Sequence, residues 1–234
     1  LKRSSSLTQV GVTKTLAKLR DFVLVAHGVT RHDHSMSMES LDSQGPSKIV
    51  FPNDAWAKIL TTAMTSHSSN IPVQVDLLQT LWFIVTLHPQ YVSQLTSIAD
   101  MPQIITTMQT HVNEELIQEY GCGVLASIAA ASEGHALRLL RVRNGEFVHR
   151  LMAALQFQSR QGNVQVHALK ALGHLSLASI SDESPRESFS KTMGRYVENG
   201  RDIDSAVNAI ETVVHAMKHY VANISVQIQG NRLL

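Results

Sequence analysis

Four stretches of this chain superpose on one another without a gap: Ala57 to Ile84, Met101 to Ile128, Val148 to Leu175, and Ile210 to Leu234. Each opens with three apolar residues spaced i, i+3, i+7: Ala57-Leu60-Met64, Met101-Ile104-Met108, Val148-Leu151-Leu155 and Ile210-Val213-Met217. Nine residues after the third comes an aliphatic residue followed by glutamine: Val73-Gln74, Ile117-Gln118, Val164-Gln165 and Val226-Gln227. Three residues past the glutamine stands Leu77, Gly121, Ala168 or Gly230, and four further on Leu81, Leu125, Leu172 or Leu234. Successive glutamines lie 44, 47 and 62 residues apart. Self-similarity at such a period constrains the fold more than any other feature, because each unit is one supersecondary element that buries its apolar face against its neighbours.

The spacing within a unit predicts two amphipathic helices. The first three anchors share one helical stripe. The second set, Val73-Leu77-Leu81-Ile84 and its copies, runs i, i+4, i+8, i+11 on another. The links are short and polar, such as Ser66 to Asn70 and Ser159 to Asn163, and Asn70, Asn163 and Asn223 stand where an N-cap would satisfy orphan N–H groups. A shorter third helix is expected before each pair, over Gln90 to Ile98 and His135 to Val142. Pro89 suits the first turn of the former, and Asn144-Gly145 ends the latter as a left-handed C-cap. Gly121, Gly123, Ala126, Ala168 and Ala171 let helices approach closely, while Leu77 and the Trp82-Phe83 pair predict different packing in their unit. A lone unit buries too few apolar side chains to offset the entropy of ordering it, so neighbouring units must share a core.

The expected fold is therefore all-α, a right-handed α-solenoid of three-helix repeats. Its divisions are 1–50 (a partial repeat helix with Gln9, Val12, Leu16 and Leu19 in register, then a Ser-rich loop from Thr30 to Ser47), 51–98, 99–143, 144–200 with a loop insertion from Ile180 to Arg201, and 201–234. The register leaves the last unit open at Leu234, which reads as a piece of something longer. Twenty basic and 19 acidic side chains give a net charge of +1, which argues against a nucleic-acid or membrane-surface partner. No apolar run approaches the roughly 20 residues that span a bilayer. The single cysteine, Cys122, excludes an intrachain disulfide and fits a reducing compartment, the cytoplasm first and the nucleus second.

The runs from Ile117 to Ala129 (IQEYGCGVLASIA) and from Val164 to Ser176 (VQVHALKALGHLS) resemble the armadillo family, whose signature is an aliphatic-Gln pair, a small residue and then Ala-Leu-x-x-Leu-Ala. The segment from Met64 to Gln74 is similar to armadillo variants in large multidomain signalling proteins, kinases among them. HEAT repeats share the period, but their two-helix units leave Gln90 to Ile98 unexplained. The resemblance covers residues 51–234. It implies a superhelix whose third helices line a concave groove for extended peptides or partner proteins. Nuclear-import members clamp a peptide backbone with a Trp and, four residues later, an Asn. The matching pairs here, Gln79/Phe83, Gly123/Ser127 and Lys170/His174, contain neither, which disfavours an import adaptor. Other members use basic and amide residues, a mode that Gln79, Lys170, His174 and Arg232 would suit. The expected groove residues are thus Gln79, Phe83, Ser127, Lys170, His174 and Arg232.

Signals of catalysis are weaker than their bland readings. His27, His32 and His34 with Asp33 form the densest histidine cluster, but a Ser-rich loop is a poor scaffold for metal geometry. His67, His111 and His219 recur near the end of each unit's first long helix, where a helix C-terminus accounts for them. Cys122, flanked by glycines on a helix expected to be buried, reads as a core thiol. Arg138, Arg141 and Arg143 read as a solvated stripe, and Asn223-Ile224-Ser225 as a cap rather than a glycosylation site. Arg3-Ser4 and Ser184-Pro185 are short enough to arise by chance. There is no phosphate-binding Gly-rich loop, no Cys-x-x-Cys pair and no nucleophile elbow. The expectation is a non-enzymatic interaction scaffold that takes a protein or extended peptide, with no cofactor, metal, nucleic acid, membrane or small-molecule substrate. The alternative is a regulatory region of a larger signalling enzyme.

Overall fold

A computed structural model of the chain describes residues 14, 55–96, 101–142, 145–157, 162–180 and 209–234. The partial-repeat anchors Gln9, Val12, Leu16 and Leu19, the histidine cluster at His27 to His34, the Ser-rich stretch from Thr30 to Ser47, Arg143, and the insertion beyond Ile180 lie outside the described residues. Among the described residues the fold is all-helical with no strand. The helices are α1 (Ala55–Ser66), α2 (Ile71–Leu87), a 3-10 turn (Pro89–Tyr91) leading into α3 (Val92–Leu95), α4 (Met101–Thr110), α5 (Glu115–Ala131), α6 (Glu133–Arg141), α7 (Glu146–Phe157), α8 (Gly162–Ser179), α9 (Ala209–His219) and α10 (Ile224–Leu233).

The apolar periodicity is the burial pattern. Ala57, Leu60 and Met64 of α1, their counterparts in α4 and α7, and the four-residue stripes of α2, α5 and α8 are all buried. In the fourth unit Val213 and Val226 are buried, whereas Leu234 is exposed. The short third helices occupy the expected places, but Gly145 does not cap α6: the C-cap is Val142, in extended backbone, and Gly145, with a left-handed φ of 85°, stands in the turn that leads into α7.

The recurrent glutamine closes the corner between the two long helices. An α-helix ends with carbonyls that have no intrahelical donor. Gln74 Nε2 donates to Met64 O and His67 O, both at 2.8 Å, and Gln118 Nε2 donates to Met108 O and His111 O, both at 2.9 Å. Gln227 Nε2 repeats the pair at Met217 O (2.7 Å) and Tyr220 O (3.1 Å), and Gln165 Nε2 reaches Leu155 O at 3.0 Å. The side chain thus reaches back from the first turn of one helix to cap the last turn of the helix before it. The carbonyls of His67, His111 and Tyr220 also accept the N–H three residues on, so each corner is a closed hydrogen-bonded turn.

The corner entrance is capped one turn earlier. Asn70 and Asn223 accept from Val73 N (3.3 Å) and Val226 N (3.1 Å) as N-caps. Asn163 does not cap: it lies inside α8, two residues rather than four before its glutamine, and its Nδ2 donates to Glu119 Oε1 at 3.1 Å.

The long helices form two layers. α5 packs between α2 and α8, and α10 packs on the far side of α8. In the other layer α4 touches α1 and α7, and α7 touches α9. The short helices join them: α6 packs on α5, α7 and α8, while Trp56 Nε1 of α1 donates to Gln94 Oε1 of α3. Polar ties cross from the first unit to the second: Thr107 Oγ1 donates to Gln74 Oε1 (3.2 Å), and His111 Nε2 bonds to Ser68 O (2.7 Å).

The small residues of α5 admit side chains. A Cβ on Gly121 would fall 2.7 Å from Cγ and Sδ of Met108, and a Cβ on Gly230 would clash in the same way with Met217. Glycine inside a helix costs about 1 kcal/mol against alanine, and room for a methionine offsets that penalty. Among the described residues no single helix is long and apolar enough to cross a membrane. α2 with the following short turn would suffice by length, but the pair is bent by 112° and its apolar stripe lies in the core.

Candidate functional site

The expected groove residues lie on α2, α5, α8 and α10, the layer of successive neighbours. Their states differ. Gln79 Nε2 donates to the Tyr120 hydroxyl at 3.0 Å. Ser127 Oγ donates to Gly123 O at 3.0 Å and lies 2.7 Å from Thr86 Oγ1. Both side chains are thus engaged within the protein and tie α2 to α5. Phe83 is half-buried and stacks on Trp82, with ring centroids 5.9 Å apart. Lys170 and Arg232 are exposed, and Arg232 Nη1 donates to Gln229 Oε1 at 3.3 Å.

Trp82 supplies what the sequence reading missed. It sits eight residues past Gln74, and its indole lies over Gly123, five residues past the next glutamine: a Cβ there would fall 2.8 Å from Nε1 and Cε2. The ring also meets Tyr120 at 5.5 Å and the edge of His167 at 4.9 Å. One side chain of the first unit therefore contacts the second and the third. The signal was present as an aromatic pair in one unit and a bare glycine in the next, but it needed the offset between them.

Burial sets the electrostatics. The His167 imidazole is pushed down to about 4, first by burial against Trp82 and then by the Lys170 ammonium. His174 is lowered first by burial and then by the Lys170 and Arg232 cations. Glu119 is raised by burial and by Glu115, against the hydrogen bond from Asn163. Burial pushes the Cys122 thiol far up, away from the thiolate that nucleophilic chemistry requires. Among the described residues no three His, Cys, Asp or Glu side chains group as metal ligands would.

Beside His174 the surface opens into a pocket of about 360 Å³, between the end of α5, the start of α6 and the end of α8. Ala129, Ala130, Ala136 and Ala178 line it with methyl groups. Leu177 and Ile180 also line it, at 59% and 68% exposure, and Glu133 is its acidic member. Of this lining the sequence reading named only His174, because alanines in a helix look like helix formers and no more.

No protein-family model matches the chain, and no curated protein or solved structure matches it.

Proposed function

We propose that the chain is an armadillo-type α-solenoid that acts as a non-enzymatic interaction scaffold, binding an extended peptide or partner protein along the face of α2, α5, α8 and α10. The observation that carries this reading is the glutamine-closed corner, present in all four units. It holds the second long helix of each unit in the same register, so residues five and nine past each glutamine fall on a common face. That face is long, mixed in character and built from several units, which suits an extended ligand better than a compact one. Gln79 and Ser127 are its scaffold, and Phe83, Lys170, His174 and Arg232 remain the contact residues.

Hydrogen–deuterium exchange on the full chain, with and without a peptide selected from a random display library, tests this. The expected result is added protection concentrated on α2, α5, α8 and α10. Protection confined to α1, α4, α7 and α9 would refute it, as would failure to enrich any peptide.

A further inference from the structure

We infer that His215 and His219, one turn apart on the exposed side of α9, form a two-point surface site for a late first-row transition dication such as Zn²⁺, Ni²⁺ or Cu²⁺. α9 packs on α7, in the layer away from the face proposed for a peptide, so the inference does not rest on that reading.

The periodicity of α9 brings the pair together. Thr212, Val213 and Ala216 are buried and hold the helix on the core, while His215 and His219 are exposed. Residues four apart on a helix are surface neighbours, about 5–6 Å apart at Cβ. The two imidazoles lie 6.2 Å apart between ring centroids, and their planes differ by 8°. His219 ends the helix, where a histidine answers the negative end of the dipole. That reason does not extend to His215, a full turn inside.

The ring nitrogens are uncommitted. Elsewhere His88, His111 and His135 each have a nitrogen engaged, with Gln90, Ser68 O and Thr96 respectively. His215 and His219 meet each other and Tyr220 through ring contacts alone, and neither imidazole has a hydrogen bond among the described residues. Imidazole is the commonest metal ligand that a protein offers.

The backbone is held while the rings are free to turn. Gln227 Nε2 donates to Met217 O (2.7 Å) and Tyr220 O (3.1 Å), on either side of His219. A metal–imidazole bond of about 2.0–2.1 Å places the two ligating nitrogens roughly 3 Å apart. Exposed side chains change rotamer rapidly, so the rings reach that separation without moving the helix. Two protein ligands are fewer than a structural zinc site uses, so water fills the other positions and the ion exchanges. Imidazole nitrogen selects Cu²⁺, Ni²⁺ and Zn²⁺ over Mg²⁺ and Ca²⁺, which take oxygen ligands. Glu211, one turn before His215, adds a negative charge that favours a cation, and Lys218, exposed beside His219, opposes it.

The test uses the full chain, His215→Ala, His219→Ala and the double variant. Both side chains are exposed and alanine favours helix, so each variant should keep the parent's melt by circular dichroism. Histidine-ring NMR with substoichiometric Cu²⁺ should broaden His215 and His219 first. Isothermal titration calorimetry should show the parent's tightest Zn²⁺ site weakened about tenfold or more in either single variant. The double variant should lose no more than each single one, because a chelate fails when either arm is lost. Mg²⁺ should not bind there. Losses that add between the two single variants would mark two independent one-point contacts and overturn the inference. First broadening at other histidines, such as His27, His32 or His34, would overturn it too, as would Zn²⁺ binding that is absent or the same in all four proteins.

Discussion

Replacing Gln118 by methionine keeps the length and bulk of the side chain and removes its amide. Gln118 is 3% exposed, and its Nε2 holds Met108 O and His111 O at 2.9 Å each. His111 O retains the N–H of Glu114, so it loses one of two donors. Met108 O loses the donor supplied by the next helix in a place that water reaches poorly. A lost hydrogen bond is worth about 0.5–1.5 kcal/mol, and a buried carbonyl left unsatisfied about 1–3 kcal/mol, so Gln118→Met should destabilise by about 2–4 kcal/mol. For a chain of this size each kcal/mol lowers Tm by about 2–4 °C. Urea unfolding followed by far-UV circular dichroism reads the loss directly. Gln118→Glu sharpens the test. An ionised carboxylate facing two carbonyls is repelled by both, whereas a protonated one can donate to one of them. Its folded-state pKa is thus raised above the unfolded value, its relative stability is greatest below pH about 4.3, and stability is lost as pH rises through the folded value. Gln227→Met makes the same change where the amide is half-exposed and water can substitute, and should cost about 1 kcal/mol. If Gln118→Met stays within about 0.5 kcal/mol of the parent, and Gln118→Glu is no worse at neutral than at acid pH, the corner is not held by the glutamine.

Three further outcomes are expected. Gly123→Ala places a methyl 2.8 Å from the Trp82 ring, so an overpacking cost of about 1–3 kcal/mol should exceed the roughly 1 kcal/mol gained in helix propensity; a double-mutant cycle with Trp82→Phe should reverse the sign. Because His167 falls from 6.5 to about 4 in the folded chain, its contribution is complete above pH 6.5 and is lost as pH drops toward 4, by about 3 kcal/mol in all; His167→Phe should flatten that limb of the stability–pH curve. Asn70→Ala and Asn223→Ala should each cost about 1 kcal/mol of chemical-denaturation stability, and Asn163→Ala, an exposed non-cap, less than about 0.5 kcal/mol.

The helices were legible because burial follows apolar spacing, and spacing is visible in a string of letters. The glutamine was legible as a period but not as a cap, since its partners are backbone carbonyls seven and ten residues earlier that carry no residue identity. Asn163 was misassigned for the same reason: capping depends on the distance to the glutamine, four residues at Asn70 and Asn223 but two at Asn163. The residues expected to line a groove lie on the second long helices that the spacing predicts, yet the engagement of Gln79 with Tyr120 and of Ser127 with Thr86 lies a whole unit away in sequence. Trp82 resting over Gly123 joins positions that are not equivalent in the repeat, so aligning the units against one another could not pair them.

The closed corner has a consequence for how such a chain can vary in length. From Met64 to Gln74, Met108 to Gln118, Leu155 to Gln165 and Met217 to Gln227 the count is ten residues every time. From one glutamine to the next it drifts through 44, 47 and 62. A single residue inserted within a corner would pull the amide off its carbonyls, whereas the whole excess of the longest interval lies between one corner and the next. The chain is jointed like a folding rule: the hinges have one fixed size, and all the tolerance for growth is in the gaps between them.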